Sequence, residues 1–169
     1  MSAVDINALA ATAARNSIAP DQYLPIVTAP PFVPSRALFN IRDIGQVSGS
    51  GVPAGLAYRC GALDHVEKDP DAVAWMTSHV KKVFDLRKAG AERETAPDPE
   101  LEGVENVWLA PSGEYPTPKL EDFVVNNGID AWKVQYMIVA RMYAPTYKAV
   151  LEHIRDQPTV PFLFHCTGK

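Results

Sequence analysis

The chain has 169 residues, of which 47% are hydrophobic and 21% charged, and its formal net charge at pH 7 is -4. This composition is typical of one ordinary globular domain. An acidic chain lacks the basic excess of proteins that bind the nucleic-acid backbone, so we expect no nucleic-acid partner. Apolar stretches of the ~20 residues that a membrane helix needs are missing from the sequence, and the N-terminus lacks the basic region of a signal peptide. We therefore expect a cytoplasmic protein with no membrane span.

Proline separates the first part of the chain from the rest. Five of the 15 prolines lie within the first 34 residues, and we predict that residues 1–35 form an irregular Pro-rich arm with a short helix over residues 5–15. Residues 36–169 then read as one folding unit.

Strand and helix patterns alternate along this second part. The pair Asp69-Pro70 predicts the start of a helix, with the carboxylate as N-cap and proline at the first helical position. Apolar residues at helical spacing predict two later helices, around residues 129–139 and 147–154, with Pro145 in the first turn of the second. Extended, β-branched or aromatic runs predict strands over residues 55–59, 80–86, 104–110 and 160–164. Such alternation predicts an α/β fold, with a central, mostly parallel sheet and flanking helices.

The last of these strands directs attention to the residues after it. The run 160–164 is continuously apolar, as in a strand that is buried on both faces of a parallel sheet, and ligands of such sheets bind beyond the carboxyl ends of the strands. His165, Cys166 and Thr167 follow at once. A thiol in a tight turn at this edge, beside backbone N–H groups, favours thiolate and anion binding, and would be a nucleophile for phosphorus. The alternative is a buried cysteine with a structural role.

The other cysteine and the remaining histidines give no metal signal. Cys60 and Cys166 are too few for a disulfide scaffold, and their separation matches no zinc-ligand spacing. His65, His79 and His153 share no metal-ligand spacing either. We therefore expect free thiols, no metal site, and surface or packing roles for these histidines.

Four segments, in order, resemble one known family. The last of them, His165-Cys166-Thr167-Gly168-Lys169, resembles the start of the signature loop of cysteine-dependent tyrosine phosphatases, in the bacterial and fungal branch whose loop contains Gly-Lys-Asp-Arg. The other three resemble further motifs of that branch: Leu38-Phe39-Asn40-Ile41-Arg42-Asp43-Ile44-Gly45, Tyr58-Arg59-Cys60-Gly61-Ala62-Leu63, and Val83-Phe84-Asp85-Leu86-Arg87 with Glu94.

The resemblance implies a mechanism. Cys166 would attack phosphorus in line and form a phosphocysteine, which water then hydrolyses. Thr167, Gly168 and Lys169 would bind the phosphate oxygens through backbone amides and the lysine side chain, and His165 would support the thiolate. No metal or organic cofactor is required. The expected substrate is a phosphorylated protein or a small phosphoester, and nothing in the sequence indicates an oligomeric state.

Two charged residues at the end of the second predicted strand, one acidic and one basic, have alternative interpretations. Asp85 is a candidate proton donor to the leaving oxygen, and Arg87 a supporting residue at the mouth of the site. Alternatively, Asp85 caps a turn and Arg87 forms a structural salt bridge with Glu94. Arg42, Asp43 and Arg59 could form structural pairs that tie the N-terminal segment to the sheet.

The sequence departs from the family pattern within the loop. The arginine that clamps phosphate in this family lies six residues after the cysteine, beyond Lys169, and Gly168 and Lys169 each come one residue early. We therefore expect a catalytic domain truncated inside its loop, with helices over the central strand missing and activity impaired. The alternatives are a non-catalytic pseudophosphatase or fragment that acts as a binding module, and a rhodanese-like sulfurtransferase.

Overall fold

A computed structural model describes residues 5–13, 15–113 and 117–167, without the side chains of residues 91 and 92. Within these ranges one five-stranded sheet has the order β1-β2-β5-β3-β4. Only β1 is antiparallel to its neighbour, and the other pairs are parallel. The last strand therefore lies at the centre, as its apolar run predicted. The strands are β1 Arg42–Asp43, β2 Ala57–Cys60, β3 Lys82–Asp85, β4 Glu105–Trp108 and β5 Phe162–His165.

Six α-helices flank or precede this sheet in the described part of the chain. The Asp69 carboxylate caps the third of them by accepting from the backbone N–H groups of Asp71 and Ala72, which confirms the predicted helix start. Short 3-10 turns cover residues 44–46, 66–68, 120–123 and 125–128. The helices are α1 Ile6–Ala10, α2 Pro20–Val27, α3 Pro70–His79, α4 Ala91–Thr95, α5 Ile129–Met142 and α6 Ala144–Asp156.

The proline-rich arm is more ordered than predicted. It contains α2, which begins at Pro20, a residue whose fixed φ suits the first helical position. Pro25 lies inside this helix and removes one backbone donor from it. The first helix is shorter than the predicted span of residues 5–15. An isolated bridge between Phe32 and Arg42 joins the end of the arm to the edge of the sheet.

The core has two parts, one on each face of the sheet. Leu163 and Val83 lie side by side in neighbouring strands and pack with Met76 of α3 in one cluster. Phe84 and Phe162 belong to the other cluster, which α6 covers. Successive strand residues point to opposite faces of the sheet. The two clusters therefore show to which face each residue at the end of a strand points.

Helices α5 and α6 differ in how deeply they are buried. In α6, Pro145 lies in the first turn as predicted, and the His153 ring packs edge-on against Phe84 and Phe162, so the predicted packing role of that histidine is confirmed. In α5 only Met142 is buried, and Trp132 is 53% exposed. Among the helices of the described ranges, none combines the length and the apolar character needed to cross a bilayer.

Candidate active site

Cys166 lies immediately after the central strand, at the carboxyl edge of the sheet. Its side chain is exposed and its thiol is free, and Thr167 after it is half-buried. The predicted phosphate-binding residues Gly168 and Lys169 lie outside the described residues. The parallel neighbours of β5 end beside it, so Cys60 and Asp85 flank His165 in one row across the sheet. Side chains in such a row point to the same face of the sheet. The residue after His165 is the first one beyond this row.

His165 is fixed through its backbone and enclosed around its ring. Its carbonyl oxygen accepts the Leu86 N–H at 2.8 Å, and the residue is 1% exposed. Ring atom Nε2 lies 3.0 Å from Oδ1 of Asp98 and 3.8 Å from Oδ1 of Asp85. In the described part of the protein neither ring nitrogen completes a well-directed hydrogen bond, so the approach to Asp98 is a contact of ion-pair length.

Asp85 accepts four hydrogen bonds at the end of β3. Oδ1 accepts from the backbone N–H of Arg87 at 2.8 Å and from its Nε at 2.9 Å. Oδ2 accepts from Nη2 of Arg87 at 3.0 Å and from Nε of Arg93 at 3.0 Å. Burial by itself would raise the pKa of Asp85, but the hydrogen bonds from Arg87 and the charges of His165 and Arg87 outweigh it and lower the pKa. A carboxylate held in this way is a weak candidate for proton donation.

Arg87 joins two carboxylates and a loop. Besides Asp85, its guanidinium reaches Oδ1 of Asp98 at 2.7 Å and the carbonyl oxygen of Ala96 at 2.6 Å, and the side chain is 3% exposed. Its own carbonyl accepts the indole N–H of Trp108 at 2.9 Å. Among the described residues, the acidic partners of Arg87 include Asp85 and Asp98, whereas the sequence had suggested Glu94. A buried arginine between two carboxylates neutralises charges that would otherwise be costly to bury.

Two residues of this cluster were not singled out from the sequence. Asp98 stands in Ala96-Pro97-Asp98-Pro99, where the flanking prolines are its only local signal. Arg93 of α4 lies 4.3 Å from the centre of the Trp108 ring, in a cation–π contact, while it donates to Asp85. The roles of Asp98 and Arg93 depend on tertiary contacts, which no local sequence pattern predicts.

The cluster has a donor set that also suits a metal ion. One atom each of Asp85, Asp98 and His165 lie within 4.8 Å of one another. The guanidinium of Arg87, however, donates to both carboxylates, and a metal would have to displace that internal cation. We therefore interpret the cluster as an ion-pair network.

Cys60 is a packed residue. Burial and, secondarily, the negative charge of Asp98 raise its pKa to about 12, against a smaller lowering by Arg59. Its Sγ lies 3.1 Å from the carbonyl oxygen of Gly61 and donates to it. A thiol with this pKa is protonated at neutral pH and is a poor nucleophile, which leaves Cys166 as the reactive candidate of the two cysteines.

The Arg-Asp-Ile-Gly segment organises the loop before β2. The buried Asp43 carboxylate accepts from the N–H groups of Gly45 at 2.9 Å and Gly55 at 2.8 Å, and from Nε2 of Gln46 at 2.9 Å. Gly45 has no room for a side chain, because a Cβ there would meet the backbone of Pro53 and Ala54. The hydrogen bonds of Asp43 therefore hold the loop before β2 in a closed conformation.

The arginines of this region do not provide the predicted charge pairing with Asp43. Arg42 and Arg59 are cross-strand partners, which places two like charges opposite each other. Arg42 instead lies over the Phe32 ring, 5.2 Å from its centre. The Asp43 carboxylate thus ties this segment to the sheet by accepting hydrogen bonds from backbone amides.

Comparison with known proteins agrees with the resemblance. A family model described as the tyrosine phosphatase family matches residues 33–169, a span that includes the five described strands and all four of the quoted segments. A search of curated proteins gave no match.

Proposed function

The chain belongs to the tyrosine phosphatase family, and on that premise we propose that Cys166 is the nucleophile in the hydrolysis of a phosphomonoester. The thiolate sulfur forms a bond to phosphorus as the bond from phosphorus to the leaving oxygen breaks, and the leaving oxygen takes up a proton. Water then attacks the phosphocysteine, the S–P bond breaks, and inorganic phosphate and the thiolate are released. Each step is a transfer of the phosphoryl group and needs neither an oxidant nor a reductant.

One observation carries this proposal: the only exposed thiol of the described residues lies directly after the central strand of a parallel sheet. This edge is where ligands of α/β sheets bind. The other cysteine has a pKa raised to about 12 by burial, so the two thiols differ in the property that nucleophilic attack requires. We further propose that Thr167, Gly168 and Lys169 bind the phosphate oxygens.

The role that we propose for Asp85 is to hold the arginines of the site. Its four donors and lowered pKa support a permanently ionised anchor for Arg87 and Arg93, in preference to the proton donor considered from the sequence. Arg87 in this proposal is a supporting residue, as in the sequence interpretation, with Asp85 and Asp98 as its partners.

The family match supports the substrate class that we propose. We propose a phosphorylated protein, with phosphotyrosine as the first candidate and phosphoserine or phosphothreonine as further ones, or a small phosphoester. The two free thiols support a reducing, cytoplasmic setting.

The experiment measures alkylation of the 169-residue protein by iodoacetamide, with the modified peptides identified by mass spectrometry. We expect inorganic phosphate or vanadate to protect Cys166, and an aryl phosphate to leave a phosphate on Cys166 after acid quench. Cys166→Ser should abolish both the label and the trapped phosphate. The matched control is Cys60→Ser, which removes the other thiol and should leave both signals unchanged.

The opposite result is equally clear. If Cys166 is alkylated at the same rate with and without oxyanion, and no phosphocysteine is trapped, the nucleophile proposal is wrong and the binding-module alternative is favoured. Formation of a persulfide from thiosulfate, with no phosphate trapped, would favour the sulfurtransferase alternative instead.

A further inference from the structure

Asp98 lies outside the sheet but contacts β5, the strand that precedes Cys166. It lies on the connection between α4 and β4, yet its Oδ1 is 3.0 Å from Nε2 of His165, the residue that precedes Cys166. The Asp98 side chain is 7% exposed and that of His165 is 0% exposed. Water therefore screens this contact very little.

The segment that carries Asp98 is held in place from several directions. Arg87 binds the Ala96 carbonyl oxygen at 2.6 Å and the Asp98 carboxylate at 2.7 Å. The Nδ2 of Asn106 donates to the Pro99 carbonyl oxygen at 3.0 Å, which fixes the segment to β4. The proline after Asp98 restricts its backbone to extended conformations. The carboxylate is thus presented to His165 by a rigid support.

Asp98 is better suited than Asp85 to act on the His165 ring. Both carboxylates face it, but Asp85 is farther away, at 3.8 Å, and each of its oxygens already accepts two hydrogen bonds. Oδ1 of Asp98 has one described donor, Nη2 of Arg87. The charged and titratable groups described on the face of the sheet that carries the ring are Asp85, Arg87 and Arg93 on the β3 side, Cys60 on β2, and Asp98.

We propose that Asp98 is a positioning residue that acts on Cys166 through His165. A carboxylate oxygen 3.0 Å from Nε2 favours a ring proton at that atom through its negative charge. The Leu86 N–H fixes the carbonyl of the same residue, so side chain and backbone together set where the chain leaves the sheet and Cys166 begins. This inference rests on the proposed role of Cys166, and it adds a partner for His165 that the sequence did not indicate.

The direction in which the alkylation rate of Cys166 changes distinguishes this role from a direct effect of the Asp98 charge. Removing a negative charge near a thiol would, by itself, increase the thiolate fraction and speed alkylation. If Asp98 acts through His165, Asp98→Asn should instead slow alkylation of Cys166 at neutral pH by about three- to tenfold, the range expected for loss of a favourable neighbour. The whole alkylation profile should move toward higher pH. Asp98→Glu, which restores a carboxylate, should recover most of the wild-type rate.

A spectroscopic measurement tests the same proposal on the His165 ring itself. Nitrogen-15 NMR of the His165 ring should find the proton on Nε2 in the wild-type protein, and Asp98→Asn should change the Nε2 signal. The surface control is Asp156→Asn, which removes an exposed carboxylate paired with Arg155 and should change neither measurement.

Three outcomes would overturn the role of Asp98: alkylation unchanged or faster in folded Asp98→Asn, a slowed rate that Asp98→Glu does not restore, or a wild-type ring protonated only on Nδ1. If Asp98→Asn does not fold, the wild-type NMR result and Asp98→Glu decide. None of these measurements involves phosphate, so failure here is distinguishable from failure of the proposed hydrolysis, which is read from phosphate protection and trapping.

Discussion

Replacing Asp85 by asparagine tests whether this residue anchors the arginines of the site. The amide has nearly the same shape as the carboxylate, but one of its two oxygens becomes an NH2 group. Each carboxylate oxygen of Asp85 accepts two hydrogen bonds, so either orientation of the amide leaves two donors without an acceptor. A hydrogen bond to a charged group contributes about 1.5–3 kcal/mol, which gives a loss of about 3–6 kcal/mol for two.

The structure places the expected loss in the lower half of this range. Arg87 keeps its contact with Asp98 at 2.7 Å, and the Arg93 side chain is 37% exposed and can turn to water. We therefore expect Asp85→Asn to lower the free energy of unfolding by about 3–4 kcal/mol at neutral pH. The assay is urea unfolding followed by circular dichroism, with the change read from the midpoint at constant slope.

The effect of pH on this difference has a definite sign. The pKa of Asp85 is lowered in the folded protein, despite burial, by hydrogen bonds from Arg87 and by the charges of His165 and Arg87. Its ionised form therefore stabilises the fold above the unfolded-state value of about 4, and that contribution is lost as pH falls through the folded value. The stabilities of wild type and variant should converge in acid. A loss below about 1 kcal/mol at neutral pH, as for an exposed ion pair, or a loss that persists undiminished in strong acid, would refute the anchor role.

Three further predictions concern the loop before β2 and the second thiol. Gly45→Ala should lower the thermal unfolding temperature, by the equivalent of about 1–3 kcal/mol for overpacking, because its Cβ meets the backbone of Pro53 and Ala54; an unchanged temperature would show that the loop can shift freely. Asp43→Ala should cost about 3 kcal/mol in urea unfolding, since the N–H groups of Gly45 and Gly55 lose their buried acceptor; Asp43→Asn, which keeps one acceptor oxygen, should cost less. Iodoacetamide at mildly alkaline pH should leave Cys60 unlabelled in the folded protein, because burial raises its pKa to about 12, and should label it once the protein is unfolded in urea. Labelling of Cys60 at equal rates in both states would contradict its burial.

Local signals in the sequence predicted the elements whose formation is itself local. The Asp69-Pro70 pair sets the start of α3 because cap and first turn are adjacent in the chain. The apolar run before His165 identified a strand buried on both faces, and that strand is the central one. The two-residue strand β1 had no such signal, because it is too short for periodicity and exists only by pairing with β2.

The arm illustrates the opposite limit. Its proline density suggested irregular structure, but Pro20 occupies the first helical position of α2, where the missing N–H is not needed. Composition alone could not place the prolines within a turn of helix.

The sequence by itself determined the α/β architecture, the family, and the position of Cys166 just after a buried strand. These follow from hydrophobic periodicity, capping pairs and short motifs, all of which are written in consecutive residues. Only the tertiary structure decided the partners of the charged residues: Arg87 lies between Asp85 and Asp98, and Asp98 lies beside His165. Those pairings join β3, β5 and the connection after α4, which are distant in the chain. Their strength depends on burial, and a charge that is exposed in the unfolded chain acquires a definite partner only when the fold removes water from around it.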